Sequence, residues 1–317
     1  MTMSVTGTAF RRRSAAFSGL AAFALGVFAA GAWAGAAHVW PVRYSMQIIQ
    51  GLPKPFVNAP ETRPFRIDPA GRLLAYAGKI EIPCPEQTTR TAILLLAGQS
   101  NAANNGAQRH ATRHPDSVVN FVGGRCFIAS SPLLGATGFA GEVWTAMADE
   151  LIEAGTFDRI VLAPVAVGGS NIEQWAKGGP LNTTMIPLVQ DLASRYRTTH
   201  VLWHQGESDF ALKTEPDRYK QRFLSFVDTL RANGIDAPVF VSEATKCGPG
   251  WSEPNPIRAA QRELATAQPG FRRGVDTDAL LDAQDRYDDC HFAESGEAKT
   301  ARAWAAILTP AVAVEPR

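Results

Sequence analysis

Acyl transfer needs a nucleophilic hydroxyl, an imidazole to take its proton, a carboxylate to orient that imidazole, and N–H donors for the developing oxyanion. Four short polar stretches offer these groups: GQSN at 98–101, VGGSN at 167–171, HQGESD at 204–209 and DDCH at 288–291. Each alone is an ordinary turn, since Gly, Asn, Asp and Ser are the usual turn formers. Each also follows an apolar run that reads as a strand, so together they predict one sheet edge carrying all the groups. Ser100 is then the candidate nucleophile and His291 the candidate base. Asp288, three residues earlier, is near enough for a tight loop to fold its carboxylate back onto the imidazole. His204, beside Gln205, is the competing base, and Asp289 the competing orienter.

The oxyanion donors expected are the Ser100 backbone N–H, the backbone N–H of Gly169 or its neighbour Gly168, and the Gln205 side-chain amide. Glycine permits the close approach and positive φ that such a donor position requires. Gln99, Asn101 and Trp175 are the candidates for touching a substrate. Asn101, Asn104 and Asn105 read equally as polar contacts or as turn formers. Trp175 reads equally as a platform for a sugar ring or as core. Glu207 and Asp209 read as anchors that hold Gln205.

The elements that must position these residues alternate in type. TAILLLA, RIVLAPVAV, HVLWHQG and APVFVSEA read as buried strands. GEVWTAMADELIEAG, MIPLVQDLASRYR, NPIRAAQRELATAQ and AESGEAKTARAWAAIL read as helices. PDRYKQRFLSFVDTLRANG opens with Pro, closes with Gly, and repeats Tyr219, Phe223, Phe226, Val227 and Leu230 at helical spacing. Strands alternating with helices imply right-handed crossovers and a mostly parallel sheet covered on both faces. The ligands of such sheets bind outside the carboxyl ends of the strands. Residues 91–317 are therefore expected to form one three-layer α/β/α sandwich. There is no internal repeat, no GxxxxGK[ST] phosphate loop and no GxGxxG dinucleotide fingerprint.

Two segments precede this domain. Arg11, Arg12 and Arg13 stand before an apolar run without Asp, Glu, Lys or Arg until Arg43, and Ala32-Trp33-Ala34 has the form of a cleavage site. Residues 1–42 are expected to be an export signal or, uncleaved, an N-terminal membrane anchor. Residues 43–90 are a Pro-rich lead-in, with a short strand expected at KIEIP. Of the 317 residues 45% are hydrophobic and 19% charged, with a net charge of +1, an ordinary globular composition. That balance gives no electrostatic reason to expect a nucleic-acid partner. Cys84, Cys126, Cys247 and Cys290 form no CxxC pair, so a zinc ribbon is not expected. Cys84–Cys126 and Cys247–Cys290 is the pairing expected, each disulfide near a catalytic loop.

GQSN, the Gly-Gly block with Trp175 after it, QGESD and DxxH resemble the SGNH hydrolases. Within them, the likeness is to the sialate O-acetylesterase and acetylxylan esterase group of carbohydrate esterases. The resemblance spans roughly residues 90–310 and implies an SGNH, flavodoxin-like sandwich. It implies Ser100, His291 and Asp288 as triad, with Gly169 and Gln205 joining Ser100 in the oxyanion hole, and no metal or organic cofactor. Ala102 departs from the Met common in that group. The function expected is an exported serine esterase that removes acetyl or other short acyl groups from a carbohydrate. Two alternatives remain at this level: a polysaccharide O-acetyltransferase using the same triad, and an inactive carbohydrate-binding module.

Overall fold

The computed structural model describes residues 64–309 except Gln268. The expected export segment at 1–42 and the first part of the lead-in lie outside the described residues. The central sheet contains eight strands: β3 (Glu81–Ile82), β4 (Thr91–Gly98), β5 (Val118–Val122), β6 (Arg125–Ile128), β7 (Arg159–Pro164), β8 (His200–His204), β9 (Val239–Glu243) and β10 (Phe271–Asp276). Their spatial order is β10-β9-β8-β4-β7-β5-β6-β3. From β10 to β5 all neighbours are parallel, and β6 runs antiparallel to both β5 and β3. The expected α/β/α sandwich with a mostly parallel sheet is the observed architecture.

The helices are α1 (Trp144–Glu153), α2 (Ile172–Trp175), α3 (Pro180–Arg195), α4 (Glu207–Ala211), α5 (Pro216–Ala232), α6 (Pro256–Ala267), α7 (Thr277–Leu280) and α8 (Glu294–Leu308). Strand β4 is buried on both faces, and its side chains alternate between two cores, as the period-2 geometry of a strand dictates. Ile93, Leu95 and Ala97 pack with Trp175, Met185, Phe223, Phe226 and Leu264 of α2, α3, α5 and α6. Ala92, Leu94 and Leu96 pack with Trp144, Met147, Trp304 and Leu308 of α1 and α8. Local chemistry starts these helices. The Glu142 carboxylate accepts from the Trp144 and Thr145 N–H (2.6 and 2.9 Å), and Pro180 and Pro216 open α3 and α5.

Two features were not read from the sequence. VVNFV-GG-RCFI forms the β5–β6 hairpin around Gly123 and Gly124, both with positive φ. The signal, two apolar runs separated by Gly-Gly, is a standard hairpin cue. The described end of the lead-in also carries a small antiparallel pair, β1 (Phe65–Ile67) and β2 (Leu73–Tyr76). Leu73 packs there with Val122, Phe127 and Leu134. The short strand expected at KIEIP is β3, pairing Ile82 with Cys126. Both expected disulfides are present. Only Cys247–Cys290 adjoins a candidate catalytic loop, at DDCH; Cys84–Cys126 staples the lead-in to the far edge of the sheet.

Candidate active site

Strand β4 ends at Gly98, and the chain must turn there against its neighbour β8. Gly98 has φ +139, and a Cβ at this position would lie 2.0 Å from the His204 carbonyl oxygen. Only glycine fits so close a backbone. The Gln99 N–H then donates to that same carbonyl (3.0 Å), and Ser100 opens a single 3-10 turn, Ser100–Ala102. Strand β7 leads its chain to the same place. Beyond Pro164, the Val165 and Val167 N–H donate to the Leu96 and Gly98 carbonyls, carrying Gly168 and Gly169 up beside Ser100. A Cβ built on Gly168 would lie 3.7 Å from the Ser100 Cβ. The Gly168 N–H is taken by Thr137 Oγ1 (2.7 Å). Within the described residues the N–H groups of Ser100 and Gly169 donate to nothing, and Gly169 is exposed with φ +67.

The DDCH stretch reaches this edge by another route than expected. It does not follow a strand directly, because α7 and a 3-10 turn (Ala283–Asp285) stand between it and β10. Its geometry is set by hydrogen bonds within the loop. Asp288 Oδ2 lies 2.7 Å from His291 Nδ1, while Asp288 Oδ1 accepts from the backbone N–H of Cys290 (3.1 Å) and His291 (2.7 Å). Burial alone would raise the Asp288 carboxyl. The His291 hydrogen bonds outweigh it and hold the group below the usual carboxylate range. Asp289 takes a left-handed backbone (φ +62) and is exposed, and Asp288 is the carboxylate on the imidazole.

Asn101 joins the two regions. Its buried amide donates to the Cys290 carbonyl (3.2 Å), one residue before His291, and to Glu207 Oε1 (2.9 Å) at the start of α4. Gln99 joins the first region to the HQGESD stretch: its Oε1 accepts from Gln205 Nε2, the Gly206 N–H and the Ser208 N–H at 3.2–3.3 Å. Gln99 and Asn101 are thus buried, with their amides engaged as struts that tie the Ser100 turn to its neighbours.

Three further expectations are corrected by burial. Trp175 is fully buried, edge-on to Trp203 and Phe226, with its indole N–H on Ser170 Oγ (2.9 Å), so it cannot stack on a sugar ring. Gln205 is fully buried, and its amide nitrogen lies against Asp209 Oδ2 (2.5 Å) and the Ser170 carbonyl (3.2 Å). With its two hydrogens shared among these acceptors and Gln99 Oε1, it is not a free oxyanion donor. Asp209 therefore does anchor Gln205, whereas Glu207 anchors Asn101. His204, the competing base, is 1% exposed with its ring edge-on to Phe292.

Asn104 is buried as well, trading hydrogen bonds with the Leu133 backbone in both directions (2.7 and 3.0 Å). Only Asn105 of the three is half open, its amide on the Ser100 carbonyl (3.2 Å). Ala102, where the resembling group commonly has Met, lies in the core, its carbonyl accepting from the Trp144 indole N–H (2.8 Å). The structure adds Tyr287, which sequence reasoning missed. Its half-exposed ring stacks on His291 (centroids 5.8 Å apart), and its hydroxyl donates to the Asn105 carbonyl (3.0 Å). An aromatic beside DxxH was the available signal.

Residues 90–309 match the family described as carbohydrate esterase, sialic acid-specific acetylesterase, a span of well over half the chain. The chain belongs to that family. It is accordingly a carboxylic ester hydrolase of the SGNH type. Among solved structures, this esterase is similar to a protein from Arabidopsis thaliana at 20% identity and TM-score 0.54, over 69% of this chain and 97% of the other. That likeness bears on the fold. NanS aligns at 17% identity and TM-score 0.47, over 72% and 98% of the two chains. A carbohydrate acetylesterase from Xanthomonas citri aligns at 17% identity and TM-score 0.42, over 68% of this esterase and 55% of that chain. No curated protein matches the sequence.

Proposed function

We propose that this esterase is exported and removes acetyl or other short acyl groups from a carbohydrate through Ser100, His291 and Asp288. The observation that carries the reading is the Asp288–His291 pair on a loop that Asn101, the neighbour of Ser100, holds by its Cys290 carbonyl. Asp288, kept ionised, accepts the Nδ1 hydrogen and leaves Nε2 as the basic nitrogen. Ser100 Oγ attacks the ester carbonyl while His291 Nε2 takes its proton. The tetrahedral oxyanion accepts from the Ser100 and Gly169 N–H. Collapse breaks the ester C–O bond, and the sugar alcohol leaves with the proton from His291. Water, activated by the same imidazole, then hydrolyses the acyl-serine. Export is supported by the paired cysteines, since disulfides persist in oxidising compartments, and by the Arg-led apolar N-terminal segment.

Ser100→Ala is expected to lower p-nitrophenyl acetate turnover by about 10³-fold or more with the fold retained. Undiminished turnover in a folded Ser100→Ala protein would overturn the triad. Product analysis on acetylated glycans, with an added oligosaccharide acceptor, separates hydrolysis from transfer. Free acetate with no acetylated acceptor is the expected result.

A further inference from the structure

The peptide between Cys290 and His291 is gripped at both ends. Its N–H donates to Asp288 Oδ1 (2.7 Å), and its carbonyl accepts from Asn101 Nδ2 (3.2 Å) and from a buried Arg286 guanidinium (2.5 Å). Asn101 reaches that carbonyl with one amide hydrogen because Glu207 Oε1 accepts the other. Glu207 is 2% exposed. Burial pushes its carboxyl up, and its interactions with His204 and Asn101 overcome this, leaving it lowered. A buried carboxylate is costly to desolvate unless its partners compensate, and this one has no part in the proposed triad chemistry.

From this juxtaposition we propose that Glu207 is a positioning residue for catalysis. Its carboxylate orients the Asn101 amide, and that amide sets the distance between the Ser100 turn and the His291 loop. The inference rests on the esterase reading above but concerns residues outside the triad. The geometry has the form of a strut: Asn101 adjoins the nucleophile, Cys290 adjoins the base, and Glu207 sits at the foot of α4 on a third chain segment. Gly206 brings that foot close. A Cβ there would lie 2.2 Å from Gln261 Nε2 and 2.5 Å from the Ala244 carbonyl oxygen, so the backbone is packed tightly just before Glu207.

The test is a double-mutant cycle on acetyl-ester hydrolysis, with folding checked by circular dichroism and thermal midpoint. Glu207→Ala and Asn101→Ala are each expected to lower kcat by up to about 10²-fold with KM little changed, the scale of a misplaced catalytic group. The double variant should be no worse than either single one, because both remove the same strut. Glu207→Gln keeps an acceptor oxygen for Asn101 and is expected to restore kcat to within about threefold of wild type at saturating ester. If Glu207→Ala does not fold, Asn101→Ala and Glu207→Gln carry the test. A folded Asn101→Ala with wild-type kcat would overturn the proposal, as would a folded Glu207→Gln as slow as Asn101→Ala. Failure of the esterase reading looks different: the wild-type protein itself would turn over no acetyl ester.

Discussion

The turn that carries Ser100 is buried and grows straight out of the central strand, whereas the loop that carries His291 is half exposed and follows no strand directly. The first is held by packing: every residue of β4 is buried, and Gln99, Ser100, Asn101 and Ala102 are buried after it. The second is held by single bonds: the Cys247–Cys290 disulfide, the Asp288 carboxylate on two backbone N–H groups, and two donors on the Cys290 carbonyl. A proposed nucleophile on a rigid strand end and a proposed base on a stapled loop would fail in different ways. Damage to the backbone of the turn should cost mainly the fold, and loosening of the loop should also cost the rate.

The largest expected effect breaks the turn. Gly98→Ala combines an unfavourable backbone angle with a Cβ pressed on the His204 carbonyl, and both β4 and β8 would have to shift. A loss of roughly 3–5 kcal/mol in unfolding free energy is expected, measured by chemical denaturation. A wild-type stability would show that the turn can relax as the loop can.

The two disulfides close loops of nearly equal length, with separations of 42 and 43 residues. On chain entropy alone, replacing either pair by serines should cost a similar amount, on the order of 2–4 kcal/mol. Only the Cys247→Ser/Cys290→Ser protein should also lose kcat while folded, since only that pair adjoins His291. Equal kcat in the two double variants would mean that the disulfide does not hold the base.

The smallest effect concerns a third tie between the regions. His110, on the chain leaving the nucleophile turn, lies 2.9 Å from the buried Glu297 of α8, the helix that follows the base loop. The hydrogen bond to Glu297 raises His110, and burial raises Glu297. Both shifts favour the protonated forms in the folded state. Their stabilisation is therefore complete below the unfolded values and fades as pH rises through the folded ones. The thermal-stability advantage of wild type over His110→Gln, about 1 kcal/mol in scale, should be larger near pH 6 than near pH 9. An advantage that grows with pH would contradict this sign.

Much of this was legible in the residues. Apolar runs ending in Gly-Gln-Ser, Gly-Gly-Ser and Gln-Gly-Glu place three polar stretches at the carboxyl edge of a parallel sheet, whatever the details. Asp288 and His291 are close in sequence, so their pairing needed only a tight loop. The readings that failed concern side-chain direction. Gln99, Trp175 and Gln205 are polar or aromatic residues beside a nucleophile block, and such residues look like substrate contacts until burial is known. Glu207 and Asp209 differ by two positions, and nothing in their order says that one serves Asn101 and the other Gln205.

Local sequence specifies the sandwich, its mostly parallel sheet, the three polar strand ends and the Asp288–His291 unit. These depend on local periodicity, turn chemistry and short spacing, which a chain carries in neighbouring residues. Long-range packing sets how the His291 loop meets the Ser100 turn and which amides are struts. Those outcomes depend on contacts between residues more than a hundred positions apart, such as Asn101 with Glu207 and with the Cys290 carbonyl. At such separations only the packing of the whole sheet says which donor reaches which acceptor.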